Sequence, residues 1–208
     1  MNHFFLLRNR CRTPRLFINF AAGIALLSSL LTGCRNQYVK IAQPPLFAAR
    51  SNNHSDLSVK ISDERPEKNR IGVLRGGFGN ELGDVILAED LSAAFRPLMT
   101  QALESAGYSI VVATNAVLDA TIVMFVADTT GYGKYARHKV LVRLRDGQGN
   151  IRWEKTLLGE AAGMQMGTTA SIQHCMNLAL ERLLHQAVEE FSGEYFAQTV
   201  RKINQGER

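Results

Sequence analysis

Cys34 is the residue whose setting most invites chemistry. It closes the run Leu31-Thr32-Gly33-Cys34, which follows an apolar stretch from Leu16 to Leu31 interrupted only by Asn19, Ser28 and Ser29. Ahead of that stretch stand Arg8, Arg10, Arg12 and Arg15 with no acid among them. Positive, then apolar, then small is the layout of a secretory signal. A mainly apolar stretch of sixteen residues falls short of the roughly 20 needed to span a bilayer. Other reactive side chains form weaker constellations. Asp63 and Arg65 sit two apart at the end of a strand and so face one side; the pair is either an anion-binding arginine held by a carboxylate or an ion pair that fixes a turn. His174 and His185 are eleven apart, on one side of a helix but three turns from each other, which excludes a shared metal. There is no Gly-x-Ser-x-Gly, and the glycines at 76, 77 and 79 lack the Gly-Lys-Ser/Thr that a phosphate-cradling loop requires. No catalytic residue, metal ligand or cofactor site is expected.

Leu31-Thr32-Gly33-Cys34 resembles the lipobox of bacterial lipoproteins. That resemblance implies that residues 1–33 are a signal peptide, that Cys34 becomes the lipidated first residue of the mature chain, and that the protein is membrane-anchored. Cleavage there leaves 175 residues, enough for one domain with a real core. The chain carries +5 overall, but the signal holds four of its 24 Lys and Arg and none of its 19 acids, so the mature part is near +1. The basic balance therefore gives no sign of nucleic-acid binding. Of three cysteines, Cys11 leaves with the signal and Cys34 takes the lipid, so Cys175 has no disulfide partner and the fold must stand on its core.

Elements to position these residues follow from hydrophobic period. Residues 34–56, rich in Asn, Gln, Ser and Pro, are expected to be a lipidated flexible tether, with Tyr38, Ile41, Leu46 and Phe47 as residues able to dock back; residues 57–208 form a single periplasmic domain. Leu57 to Asp63 alternates as a half-buried strand and Arg70 to Leu74 is a second. A loop is expected from Gly76 to about Ala88. Asp90 caps a helix whose apolar face is Leu91, Phe95, Leu98, Ala102, Leu103 and Ala106, with a bend or late start at Pro97 and a stop at Gly107. Tyr108 to Val112 is a strand, and Ala120 to Val126 a central strand buried on both faces. After a loop at 128–133, Lys134 to Arg145 and the return through Ile151, Trp153 and Leu157 make a hairpin about the turn Asp146 to Asn150. A long helix runs from Thr168 or Thr169 to Ser192, with Cys175 as a quiet buried hydrophobe, and residues 194–204 extend it amphipathically. The class is α+β: a two-layer, mixed, mostly antiparallel sheet of about six strands with two helices on one face.

Signal and lipobox, the Val59-Lys60-Ile61-Ser62-Asp63-Glu64-Arg65 strand, Ile71-Gly72, the Asp90-Leu91 to Gly107-Tyr108 helix and one long C-terminal helix look like the YajG-type family of Gram-negative lipoproteins, over about Leu57 to Phe191. The resemblance implies a periplasmic domain held to a membrane and supplies no catalytic residues. The most informative polar feature is the row Arg137, Lys139, Arg143 and Arg145 on one side of its strand. It reads either as a surface for an anionic partner, whether an envelope protein, a lipid headgroup or the cell wall, or as a charged strand face that deters aggregation. The expected function is a non-enzymatic binding or accessory module on the periplasmic face of the outer membrane, since Arg35 stands where inner-membrane retention uses aspartate. The alternative is an enzyme acting on envelope material, with the loops at 76–79 and 128–135 forming its cleft.

Overall fold

The computed structural model describes residues 36–42, 55–130, 133–164 and 169–206. Leu31, Thr32, Gly33 and Cys34 lie outside them. Alternating side chains build the long strands. In β7 (Gly133–Arg145) every even-numbered residue from Lys134 to Leu144 is buried and the odd-numbered ones are more exposed. β7 sits between β6 (Val117–Thr130) and β8 (Ile151–Met164), antiparallel to both. β2 (Asp56–Asp63) runs parallel to β6, and the two-residue β5 (Ser109–Ile110) parallel to β2, giving a five-stranded sheet ordered β5-β2-β6-β7-β8. A second sheet has the order β1-β4-β3, from β1 (Gln37–Val39), β3 (Arg70–Arg75) and β4 (Glu81–Leu87).

Helix α1 (Leu91–Ser105) begins where expected: the Asp90 carboxylate accepts from the Ala93 amide at 2.7 Å, a cap worth about 1 kcal/mol. It ends at Gly107, whose φ of 93° lets the Gly107 and Tyr108 amides bond back to Glu104 and Leu103. Pro97 lies inside it without delaying its start. Helix α2 (Thr169–Ser192) lies over β6, β7 and β8 and against α1. Their buried stripes join the inner residues of the large sheet in one core around Phe95, Phe125, Leu157, Leu183 and Phe191. Gly159 lets α2 seat on β8: a Cβ there would lie 2.0 Å from the Ala179 carbonyl oxygen. Gly193, in extended conformation, separates α2 from a third helix, α3 (Glu194–Gln205), so the expected continuation is a new helix with Phe196, Val200 and Ile203 buried. Among the described residues no helix is long and apolar enough to cross a membrane.

Three sequence expectations need correction. A flexible tether through 34–56 is not what residues 36–42 form: β1 pairs in parallel with β4, and the segment beyond it is clamped. Gln173 of α2 grips both backbone groups of Lys40, and Glu89 accepts from the Ile41 amide at 2.7 Å. The loop expected to run on to Ala88 contains β4, whose Gly83 and Asp84 hide its strand character, so β1 had no visible partner. The loop at 128–133 is largely strand, with Asp128 to Thr130 ending β6 and Gly133 opening β7.

Candidate functional site

β6 is longer than the neighbour on its β2 side, and that mismatch makes a cleft. β2 pairs with β6 from Ser58 opposite Val117 to Asp63 opposite Ile122, and the Glu64 amide still bonds the Ile122 carbonyl at 3.0 Å. The chain then turns away through Pro66, which has no amide to donate. It returns as β3, where Gly72 comes so close to Ala127 that a Cβ would lie 2.0 Å from the Ala127 carbonyl oxygen. There the two strands are joined through side chains. Asp128 Oδ1 accepts from the Val73 amide, and the Thr129 hydroxyl accepts from the Arg75 amide at 2.5 Å and donates to its carbonyl at 3.2 Å. Over Val123 to Val126 no described strand pairs with β6 on that side.

The same four residues hold a β-bulge. Ile122 faces Val140 and Met124 faces Lys139, so Val123 is an extra residue. It switches the buried parity of β6 from Leu118, Ala120 and Ile122 to Phe125, Ala127 and Thr129. Val123 and Met124 are left 40% exposed, where the sequence led us to expect burial on both faces. The resulting cleft, about 340 Å³, is walled by Ile71, Val73, Val123, Met124 and Phe125, with Arg65, Glu67, Arg70 and Asp128 also lining it.

Arg65 is the buried polar group of the cleft, its side chain 4% exposed. Nε and Nη2 reach the two Asp63 oxygens at 3.0 and 2.9 Å, and Nη2 also donates to the Lys68 carbonyl at 2.6 Å. Nη1 is buried and has no hydrogen-bond acceptor among the described residues. Burial alone would raise the Asp63 pKa; the Arg65 hydrogen bonds and charge outweigh it and hold the carboxyl below its ordinary value. The pair therefore fixes the turn from inside, a buried arrangement rather than a solvated one. The guanidinium carbon lies 6.0 Å from the Phe125 ring centre, and Phe125 stacks on His138 at 3.8 Å. His138 is 1% exposed, with Nε2 donating to the Met176 carbonyl of α2 at 3.0 Å; burial pushes its pKa down to about 4. It is a core histidine on the apolar side of β7, its Nδ1 buried without a hydrogen-bond partner among the described residues.

Other groups at the cleft are engaged. Arg70 pairs with Asp84 at 2.8 Å and Glu67 at 3.6 Å, and Asp128 accepts from the Tyr135 hydroxyl at 2.8 Å. The cleft thus has apolar walls with the buried Arg65 side chain in its lining, a setting for binding, with its acids committed to partners. The row on β7 has been placed on the face of the sheet away from the helices, and its arginines meet carboxylates on flanking strands. Arg137 lies 3.5 Å from Glu160, Arg143 2.5 Å from Glu154 and Arg145 2.6 Å from Asp119. Lys139 stands between Met124 and Leu158, both partly exposed. Cys175 is buried with its thiol on the Ala161 carbonyl at 3.2 Å, and burial raises its pKa. His174 and His185 are exposed, and no group of three metal-binding side chains occurs among the described residues. Sequence reasoning missed the cleft because its walls lie some fifty residues apart; the adjacent apolar pair Val123-Met124, breaking the alternation of β6, was its only local sign.

No protein-family model and no curated protein sequence matches the chain. Among solved structures, a Xanthomonas campestris protein of family DUF330 superposes with a TM-score of 0.50 at 15% identity, covering 83% of this chain and 98% of its own. A minor lipoprotein from Acinetobacter baumannii gives 0.43 at 12% identity, over 67% of this chain and 91% of that one. A lipoprotein from Neisseria meningitidis gives 0.35 at 13%, over 65% and 99%. At such identities the likeness is one of fold, and the first of the three carries it.

Proposed function

We propose that this chain is a YajG-type lipoprotein, anchored through Cys34 to the periplasmic face of the outer membrane, whose folded body is a non-enzymatic binding module of the envelope. The observation that carries the reading is the Leu31-Thr32-Gly33-Cys34 ending behind an arginine-bearing and then apolar leader. Acyl chains supply the membrane affinity, at about 0.8 kcal/mol per buried methylene. Binding has two places to occur: the cleft at Arg65, with its apolar walls, and the outer face of β7 that carries Arg137, Lys139, Arg143 and Arg145. Arg35, in place of aspartate, supports export to the outer membrane. Metabolic labelling with a fatty acid tests the anchor: the wild type should take up label and Cys34→Ala should not. An unlabelled wild type would overturn the reading.

A further inference from the structure

Two turns of this fold are built alike. In each, a glycine amide bonds a carbonyl three residues back and a second bond closes the loop: Gly79 to Gly76 with Gly76 to Asn80, and Gly149 to Asp146 with Asp146 to Asn150. Both αL positions are glycine, with φ of 81° and 87°. The residue before that glycine is Gln148 in one and Phe78 in the other, and Phe78 is 100% exposed. Turn geometry does not ask for an aromatic ring there, since the matching turn does without one. From Gly76 to Asn80 the tip carries no charge; Arg75 and Glu81 flank it 3.4 Å apart, and Leu82 just beyond is also exposed.

The direction of β1 says what lies beside this tip. β1 is parallel to β4, and the Asn36 side chain accepts from the Asp84 amide at 3.2 Å. The chain therefore enters β1 from the turn end of β4. Asp84 is three residues, about 10 Å, from Glu81. Cys34 is two residues upstream of Asn36, so covalent geometry confines it to within about 7 Å of that residue. Because the Lys40 and Ile41 backbone is clamped to Gln173 and Glu89, this entry point is fixed on the body. The Gln148 turn, by contrast, follows Arg145, which faces Val117 at the start of β6, whereas Arg75 bonds Thr129 near its end. The two turns thus lie at opposite ends of β6, twelve residues or about 40 Å apart.

We propose that the Gly76–Asn80 turn is a second membrane contact, with Phe78 inserted among the headgroups and upper acyl chains beside the lipidated Cys34. The proposal rests on the anchor reading. The occupant is a lipid surface because the anchored residue cannot leave the neighbourhood of the tip, and because a charge-free tip bearing one aromatic ring suits the bilayer interface. The acyl chains on Cys34 hold the protein to the bilayer, and a ring among the headgroups adds a smaller increment of affinity. Two contacts also fix orientation: β6 stands up from the bilayer and the Gln148 turn points away from it.

The test uses the full lipidated protein, purified from membranes and placed in phosphatidylethanolamine and phosphatidylglycerol vesicles whose acyl chains are brominated near the headgroup. Phe78→Trp is compared with Gln148→Trp and with the parent, whose single tryptophan, Trp153, is buried. Phe78→Trp should shift its emission to the blue and lose about half its added intensity to bromine, while Gln148→Trp stays water-like. Flotation with the vesicles but water-like, unquenched emission from Phe78→Trp would overturn the insertion and leave the anchor standing. A blue shift that bromine does not quench would put a protein surface over the turn, and would also overturn it. Failure of the parent to float would overturn the anchor and this proposal together.

Discussion

Acid should destabilise this domain through His138 before Asp63, paired with Arg65, begins to titrate. The ring is 1% exposed, stacked on Phe125 and bonded to the Met176 carbonyl, and its pKa falls from 6.5 to about 4, chiefly through burial, with the Arg65 charge behind Phe125 pushing the same way. The folded state resists the proton that the unfolded chain accepts, so the unfolded state binds more protons between those values and stability rises with pH across that window. At about 1.4 kcal/mol per pH unit the full difference is about 3 kcal/mol, most of it lost between about pH 7.5 and 4.5. Asp63, held below its usual value of 3.8, contributes its loss only at lower pH. The measurement is a set of urea melts across this range on the compact unit from Asn36 onward, for wild type and His138→Gln. His138→Gln will have its own cost, but its profile should be flatter by about 2 kcal/mol over the window. Parallel profiles would refute the claim that a buried neutral imidazole sets the acid limit.

Gly159→Ala should cost more than about 3 kcal/mol, because its Cβ would meet the Ala179 carbonyl oxygen at 2.0 Å and Leu183 Cβ at 2.9 Å and push α2 off β8. Gly163→Ala, on the same strand with nothing within 4 Å of the new Cβ, should cost under about 1 kcal/mol in the same melts. Arg143→Glu should lose about 1 kcal/mol by setting like charges opposite one another at Glu154 and Asp119, and adding Glu154→Arg should restore part of it. Partner recovery from crosslinked cells, compared for the single reversal and the restored pair, then reads the role of the row apart from its stability.

Local signals reached some parts of this molecule and not others. Strict alternation exposed β7, and a carboxylate cap with a closing glycine exposed α1, because both are decided by residues within one element. Each β7 arginine was visible, but the carboxylate across from it was not, since strand register decides that pairing. β4 escaped because Gly83 and Asp84 are poor strand residues in a strand held by neighbours, by Arg70–Arg75 on one side and, over Val85 to Leu87, by Gln37–Val39 on the other. The cleft escaped for a similar reason. Arg65 is visible beside Asp63 in the sequence, but Phe125, over whose ring its guanidinium lies, is sixty residues on.

The extra residue in β6 also has a consequence for how the protein can be altered. Since Val140, Lys139 and His138 of β7 face Ile122, Met124 and Phe125, Val123 is the only member of that stretch without a counterpart. A chain shortened by that one residue would pair one for one with β7 while every other side chain kept its present face. The rest of the sheet is therefore indifferent to Val123, and what the insertion shapes is the mouth of the cleft. The fold carries there a built-in point of variation, at which length can change without rewriting the core.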